Sequence, residues 1–233
     1  MNARVALVTG GTQGIGLACA ARLAADGFAV IAAARHAPPA LPDGVRFARC
    51  DVADAASVAA LFATLSRLDA LVLAAGAAGA DPEGAPDEDH WRRIMAVNLD
   101  GVWRCAAHAL PKLPDGTGRI VAIASVLGLR AVSDQVAYTA AKHGVIGMVK
   151  ALALQAAPRG ITVNALCPGW VDTAMARGRW AELGMDAGSA AAATPSGRIT
   201  TAEDVAAAMA FLLSAAGANV TGQAIALDGG AGL

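Results

Sequence analysis

The 233-residue chain is expected to fold as one α/β domain on a doubly wound, mostly parallel sheet. Three observations carry that expectation. Short apolar runs alternate with longer helical stretches from end to end. The glycine-rich run Thr9-Gly10-Gly11-Thr12-Gln13-Gly14-Ile15-Gly16 joins the first apolar run to the first helix. The length suits one well-buried core and is too short for two, so residues 1–233 are read as a single unit.

The runs Val5–Val8, Ala29–Ala33, Val45–Ala48 and Ala70–Leu73 predict the first four strands. Val5–Val8, Ala29–Ala33 and Ala70–Leu73 are continuous apolar segments, as strands covered by helices on both faces are. Helices are predicted at Ile15–Ala25 and Ala55–Ser66. Between the second and third strands, His36-Ala37-Pro38-Pro39-Ala40-Leu41-Pro42 cannot form a helix, because proline removes a backbone donor and clashes with the preceding turn. That connection, Arg35 to Val45, should be an extended loop. A helix over Glu88–Leu110 precedes the fifth strand, Ile120–Ala124, and a helix over Gln135–Ala157 precedes the sixth, Ile161–Leu166. The last helix, Ala202–Ser214, has a start signal in Thr200 with Glu203 three residues on. Gln223–Leu227 adds the final strand.

Composition narrows the function classes. A net charge of −1 with scattered Lys and Arg provides no footprint for nucleic acid or an acidic membrane surface. The hydrophobic fraction of 56% against 16% charged residues points to an alanine-rich core or to subunit interfaces. No apolar stretch of about 18 residues is present, and Met1-Asn2-Ala3-Arg4 runs directly into a strand, so a soluble chain without a signal peptide is expected, in the cytoplasm. Cys19, Cys50, Cys105 and Cys167 have no paired spacing, and His36, His90, His108 and His143 have no metal-ligand spacing. Neither a disulfide framework nor a metal site is expected.

Tyr138 and Lys142, four residues apart on a predicted helix, share one face, so an ammonium can sit beside a phenol and favour its phenolate. Bringing a tyrosine from about 10 to neutrality takes about 4 kcal/mol, which a buried lysine and neighbouring donors can supply. On a solvated face the same pair would contribute only about 0.2–0.5 kcal/mol. Ser125, at the end of the fifth strand, places a hydroxyl where it can bond a substrate oxygen. In the glycine run, Gly10 permits a tight turn, Gly14 lets the backbone approach a pyrophosphate, and Gly16 allows close helix packing.

These motifs in this order resemble the short-chain dehydrogenases/reductases, in their shorter single-domain branch with a Rossmann-type sheet, over essentially the whole chain. Besides the glycine run, Ser125, Tyr138 and Lys142, the resemblance rests on Cys50-Asp51-Val52, Asn98 in Val97-Asn98-Leu99, Pro168-Gly169 with Thr173, and Asp228-Gly229-Gly230. It implies Tyr138 as general acid/base, Lys142 gripping the nicotinamide ribose, Ser125 orienting the carbonyl, and Asn98 supporting a water-linked proton relay. Asn98 also reads as a helix-interior residue satisfying backbone at a kink, and the two readings are compatible.

The resemblance further implies a cofactor site formed by Gly10, Thr12, Gln13, Gly14, Ile15, Gly16, Arg35, Asp51, Val52, Ala75, Gly76, Tyr138, Lys142, Pro168, Gly169, Val171 and Thr173. Asp51 also reads as a turn or cap aspartate, and Thr173 as an ordinary loop residue. Ala34 stands where NAD-preferring relatives carry an acid, and Arg35 follows it, which favours NADP over NAD because a guanidinium bonds a 2′-phosphate. Gln13 stands where many NADP enzymes have a second basic residue, which pulls the other way. Leu73-Ala74-Ala75-Gly76 departs from the usual Asn-Asn-Ala-Gly, so a differently braced pocket is expected.

The implied activity is an NADP(H)-dependent oxidoreductase moving a hydride between nicotinamide and a carbonyl or secondary alcohol. The alternatives are an NAD-dependent hydroxyacid or hydroxyacyl dehydrogenase and a non-catalytic dinucleotide sensor. Only Arg130 is near Ser125 in sequence, which favours a neutral, apolar ketone, with Trp170 and Met175 as candidate pocket residues. The segment 173–197, rich in alanine and glycine without strand periodicity, reads as the mobile lid over that pocket. Relatives assemble through the two long central helices and the last strand, so a homotetramer is expected, with a dimer next.

Overall fold

The computed structural model describes residues 3–82 and 87–233; Met1, Asn2 and residues 83–86 of the single expected unit lie outside that description. Seven strands form one sheet: β1 (Val5–Thr9), β2 (Ala29–Ala34), β3 (Val45–Arg49), β4 (Ala70–Leu73), β5 (Arg119–Ile123), β6 (Thr162–Pro168) and β7 (Ala224–Leu227). Their spatial order is β3-β2-β1-β4-β5-β6-β7, and every neighbouring pair is parallel. The order reverses direction between β1 and β4, the point at which a doubly wound sheet opens a crevice at its carboxyl edge.

Among the described residues there are eight α-helices: α1 (Gly14–Ala25), α2 (Ala55–Ala63), α3 (Glu88–Met95), α4 (Gly101–Ala109), α5 (Val136–Ala156), α6 (Ala174–Glu182), α7 (Ala187–Ala192) and α8 (Ala202–Leu213). The continuous apolar runs follow from coverage on both faces. Leu7 of β1 packs with Phe62 of α2, Val102 of α4 and Val149 of α5, whereas its neighbours Ala6 and Val8 pack with Leu23 of α1 and Met209 of α8. Alternate residues of one strand thus feed two cores. The connection from Arg35 to Val45 contains no helix, as its prolines require.

Three local details differ from expectation. The helix over Glu88–Leu110 is interrupted by a π-turn, Ala96–Asp100, between α3 and α4. Asn98 is the cause: its side-chain amide donates to Ile94 O at 3.0 Å, occupying the carbonyl that a regular turn would give to a backbone N–H. The cap of α8 is Thr201 with Asp204, one residue beyond the expected pair, with Thr201 Oγ1 accepting from Asp204 N at 3.0 Å and Asp204 Oδ2 accepting from Thr201 N at 2.9 Å. Thr200 instead donates its hydroxyl to Leu227 O at 2.7 Å, tying the entry of α8 to β7. Finally, residues 173–197 fold mainly as α6 and α7.

Candidate active site

The carboxyl ends of β1 to β6 open into one cleft of about 610 Å³, and of the catalytic and cofactor-binding residues named from the sequence only Asn98 does not line it. On the β1 side, Gly10 has φ +66°, and a Cβ there would lie 2.8 Å from Ala74 O and Ala75 N. A Cβ on Gly16 would come within 2.1 Å of Gly10 O, so the first turn of α1 packs directly on the loop backbone. The N-cap, Gln13, makes no side-chain cap bond, and the first N–H groups of α1 stay available toward the cleft.

At the end of β2, Ala34 is followed by Arg35, which is exposed. Among the described residues Arg35 forms no ion pair, and no acid stands at position 34. Asp51 does act as a turn aspartate, its Oδ1 accepting from Ala53 N at 3.0 Å, while Asp54 caps α2. Val52 packs against Gly101, where a Cβ would lie 2.8 Å from its Cγ2. Past β4, the missing amide side chains are replaced from β1: Thr9 is buried, its Oγ1 accepts from Ala75 N at 3.3 Å and its carbonyl from Ala74 N at 3.1 Å. Thr9 was legible only as the last residue before the glycine loop.

Ser125 lies two residues beyond β5, where it caps the short turn Val126–Gly128, with Oγ accepting from Leu127 N at 3.1 Å. Tyr138 is the third residue of α5. Two contacts hold this helix start from outside: Val136 N–H donates to the Asp81 carboxylate, and Asp81 N–H donates to Asp134 O at 2.9 Å. The helix's own N-cap, Gln135, makes no side-chain bond. Lys142 is buried, with Nζ 5.5 Å from the Tyr138 ring centroid and donating to Ile123 O at 2.9 Å.

The electrostatics reverse the sequence expectation for the phenol. Burial pushes Tyr138 up to about 12, and the Ser125 hydroxyl beside it pulls the other way. Burial likewise brings Lys142 down to about 8. The expected lowering assumed that helical spacing places the ammonium at the phenol oxygen. Instead the ammonium sits against the ring and gives a proton to a strand carbonyl, so desolvation dominates.

Asn98 is fully buried outside the cleft. Its Nδ2 donates to Ala77 O at 2.8 Å and Ile94 O at 3.0 Å, and its Oδ1 accepts from Ala77 N at 3.2 Å. Both amide protons are therefore committed, and only one lone pair of Oδ1 is free for a relay. Past β6, Gly169 packs on Asp228, and Val171 is buried and bridges to Thr200. Thr173 caps α6, its Oγ1 accepting from Ala176 N at 3.2 Å, and its methyl would lie 3.2 Å from a Cβ on Gly14. The loop before α6 thus lies over the glycine loop.

Trp170 and Met175 line the cleft, as do three arginines beyond Arg35: Arg93, Arg130 and Arg179. Arg93 and Arg179 had no signal in the sequence, because α3 and α6 reach the site only through the fold. Arg179 pairs with Asp134 and Glu182, joining α6 to the segment that enters α5.

A family model described as enoyl-(acyl carrier protein) reductase matches residues 10–232. The chain is 40% identical to cis-4-hydroxycyclohexanecarboxylate dehydrogenase of Sinomonas cyclohexanicum, over 97% of this chain and 96% of the relative. It is 34% identical to the 3-oxoacyl-(acyl-carrier-protein) reductase MabA of Mycobacterium tuberculosis, over 99% and 93%. Among solved structures, a variant of actinorhodin polyketide ketoreductase with NADPH superposes with a TM-score of 0.87 at 35% identity, over 99% of this chain and 97% of that one. With near-complete coverage in every comparison, the chain belongs to the short-chain dehydrogenase/reductase family of NAD(P)-dependent oxidoreductases.

Proposed function

We propose that this protein is an NADP(H)-dependent oxidoreductase that interconverts a ketone and a secondary alcohol, with Tyr138 as general acid/base. The observation that carries the reading is the convergence of Ser125, Tyr138 and Lys142 in the same cleft as the glycine loop. A dinucleotide fits the residues present: the loop brings the free N–H groups of α1 to the cleft, with no side chain at Gly14 or Gly16 to block a pyrophosphate. Asp51, Val52, Ala75 and Gly76 would hold the adenosine half, and Pro168, Gly169, Val171 and Thr173 the nicotinamide half. Arg35, exposed and unpaired among the described residues, supports NADP, as does the relative's NADPH complex.

When bound, the nicotinamide supplies or accepts the hydride. Ser125 Oγ orients the substrate oxygen. Tyr138, kept protonated by burial, hands its hydroxyl proton to that oxygen as negative charge develops there. Lys142 holds a positive charge at neutral pH and stabilises the phenolate left behind. Asn98 is assigned to holding the chain between β4 and α3.

Residues 173–197 are proposed as the lid, supported by Met175, Arg179 and Leu183 lining the cleft. A homotetramer is supported by Trp103 on α4 and Leu154 on α5, which are 56% and 79% exposed, and by the unpaired outer edge of β7. A cytoplasmic enzyme fits the four buried free cysteines, and no helix among the described residues is long and apolar enough to cross a membrane.

The test is Tyr138→Phe, assayed by NADPH oxidation and by cofactor binding. Loss of turnover by about 100-fold or more with cofactor affinity kept is expected. Turnover within a few-fold of the parent would overturn the assignment, and a parent protein that binds NADPH but reduces no carbonyl would favour the sensor.

A further inference from the structure

Arginines without an ion pair among the described residues occur in the cleft and also outside it, Arg46 and Arg49 of β3 among the latter. Away from the cleft, Arg22, Arg67, Arg159 and Arg198 each sit against an acid. Inside it, Arg35, Arg93 and Arg130 have no carboxylate within ion-pair distance among the described residues, and only Arg179 does. Arg35 belongs to the β3-β2-β1 half of the sheet, beside the glycine loop. Arg93, on α3 after β4, and Arg130, after the Ser125 turn that follows β5, belong to the other half, where the substrate oxygen would sit.

Both guanidiniums are tethered by neutral acceptors. Arg130 Nη1 donates to Ala231 O at 2.9 Å, and Arg93 Nη2 is 3.2 Å from His90 Nδ1. Arginine only donates, so His90 Nδ1 is the acceptor. Each tether is a single hydrogen bond and leaves most of the guanidinium donors for a ligand. Of the acids nearby, Asp134 pairs with Arg179, Asp81 Oδ1 lies 3.2 Å from His90 Nε2, and Asp228 Oδ1 accepts from Gly230 N at 3.1 Å. Leu127, Val132, Trp170, Met175 and Leu183 supply an apolar wall to the same cleft. A cleft of this kind takes an apolar body against that wall and offers two solvent-exposed guanidiniums, without an ion pair among the described residues, to an anion.

We propose that the substrate is a ketone or secondary alcohol that also carries a carboxylate, its carbonyl at Ser125 and Tyr138, its apolar body against Trp170 and Met175, and its carboxylate at Arg93 and Arg130. The inference rests on the redox reading above and replaces the neutral ketone expected from the sequence. In the reductive direction the hydride adds to the carbonyl carbon, the Tyr138 proton adds to its oxygen, and NADPH becomes NADP⁺. The carboxylate is unchanged.

The test compares 4-oxocyclohexanecarboxylate, its methyl ester and 4-methylcyclohexanone as substrates of the whole protein with NADPH. The acid should exceed the ester in kcat/KM by about 10-fold or more. Arg93→Gln and Arg130→Gln should each lower the acid-to-ester ratio about 10-fold, mainly through KM, and Arg93→Lys should restore part of it. Arg46→Gln, exposed on β3 outside the cleft, should leave the ratio unmoved. Equal use of acid and ester, or a ratio that neither glutamine variant changes, overturns the proposal while leaving the redox reading intact. Failure of all three ketones overturns both.

Discussion

Replacing Lys142 with methionine should make the protein more stable at neutral pH while removing its activity. The side chain is buried, and burial brings its ammonium from the ordinary 10.5 to about 8. That difference corresponds to roughly 3 kcal/mol against the charged form in the folded state. Methionine removes this cost but leaves Ile123 O without its donor, which returns about 1 to 2 kcal/mol. A net gain of about 1 to 2 kcal/mol at pH 7 is expected. Because the folded-state value lies below the unfolded one, the parent's penalty is fully present below pH 8 and fades as pH rises from about 8 toward 10.5. The stability advantage of Lys142→Met should therefore shrink over that window. Urea unfolding followed by tryptophan fluorescence, at fixed protein concentration and pH 7, 8, 9 and 10, measures the difference. Taking a difference matters, since burial also pushes Cys19 and Cys105 up to about 12, and their common effect of lowering stability above pH 9 cancels. A variant less stable than the parent at pH 7, or a difference flat from pH 7 to 10, would refute the reasoning that Lys142 is a costly charge kept for chemistry.

Three further outcomes are expected. Arg35→Ala should raise the KM for NADPH by about 10- to 100-fold and barely change that for NADH, and equal effects on both would sink the 2′-phosphate assignment. Gly16→Ala sets a methyl 2.1 Å from Gly10 O, so dinucleotide binding, read by fluorescence titration, should be lost together with about 2 kcal/mol of stability or more; a parent-like titration would contradict the packing. Asn98→Leu strands Ile94 O and both polar groups of Ala77, which should cost about 3 kcal/mol in urea unfolding, whereas a loss of turnover at full stability would point to the relay instead.

Much of this molecule was legible in the sequence because its signals are local. Largely apolar runs marked the seven strands to within two residues, most clearly in the central strands, which are covered on both faces. The prolines after His36 ruled out a helix, and the glycine loop, Ser125, Tyr138 and Lys142 were named from motif and spacing alone. The tertiary structure decided what depends on desolvation and on long-range approach. Helical spacing put Lys142 beside Tyr138, but only the fold shows the ammonium turned to Ile123 O, so that burial raises the phenol instead of the ammonium lowering it. Thr9 bracing Ala75 and Asp81 holding the start of α5 are likewise contacts between segments far apart in the chain, and only the fold brings Arg93 and Arg130 to the lining of one cleft. The one-dimensional pattern records which residue types are apolar, rigid or reactive; which of them share a low-dielectric cleft, and with what charge left over, is set by how the strands order themselves in the sheet.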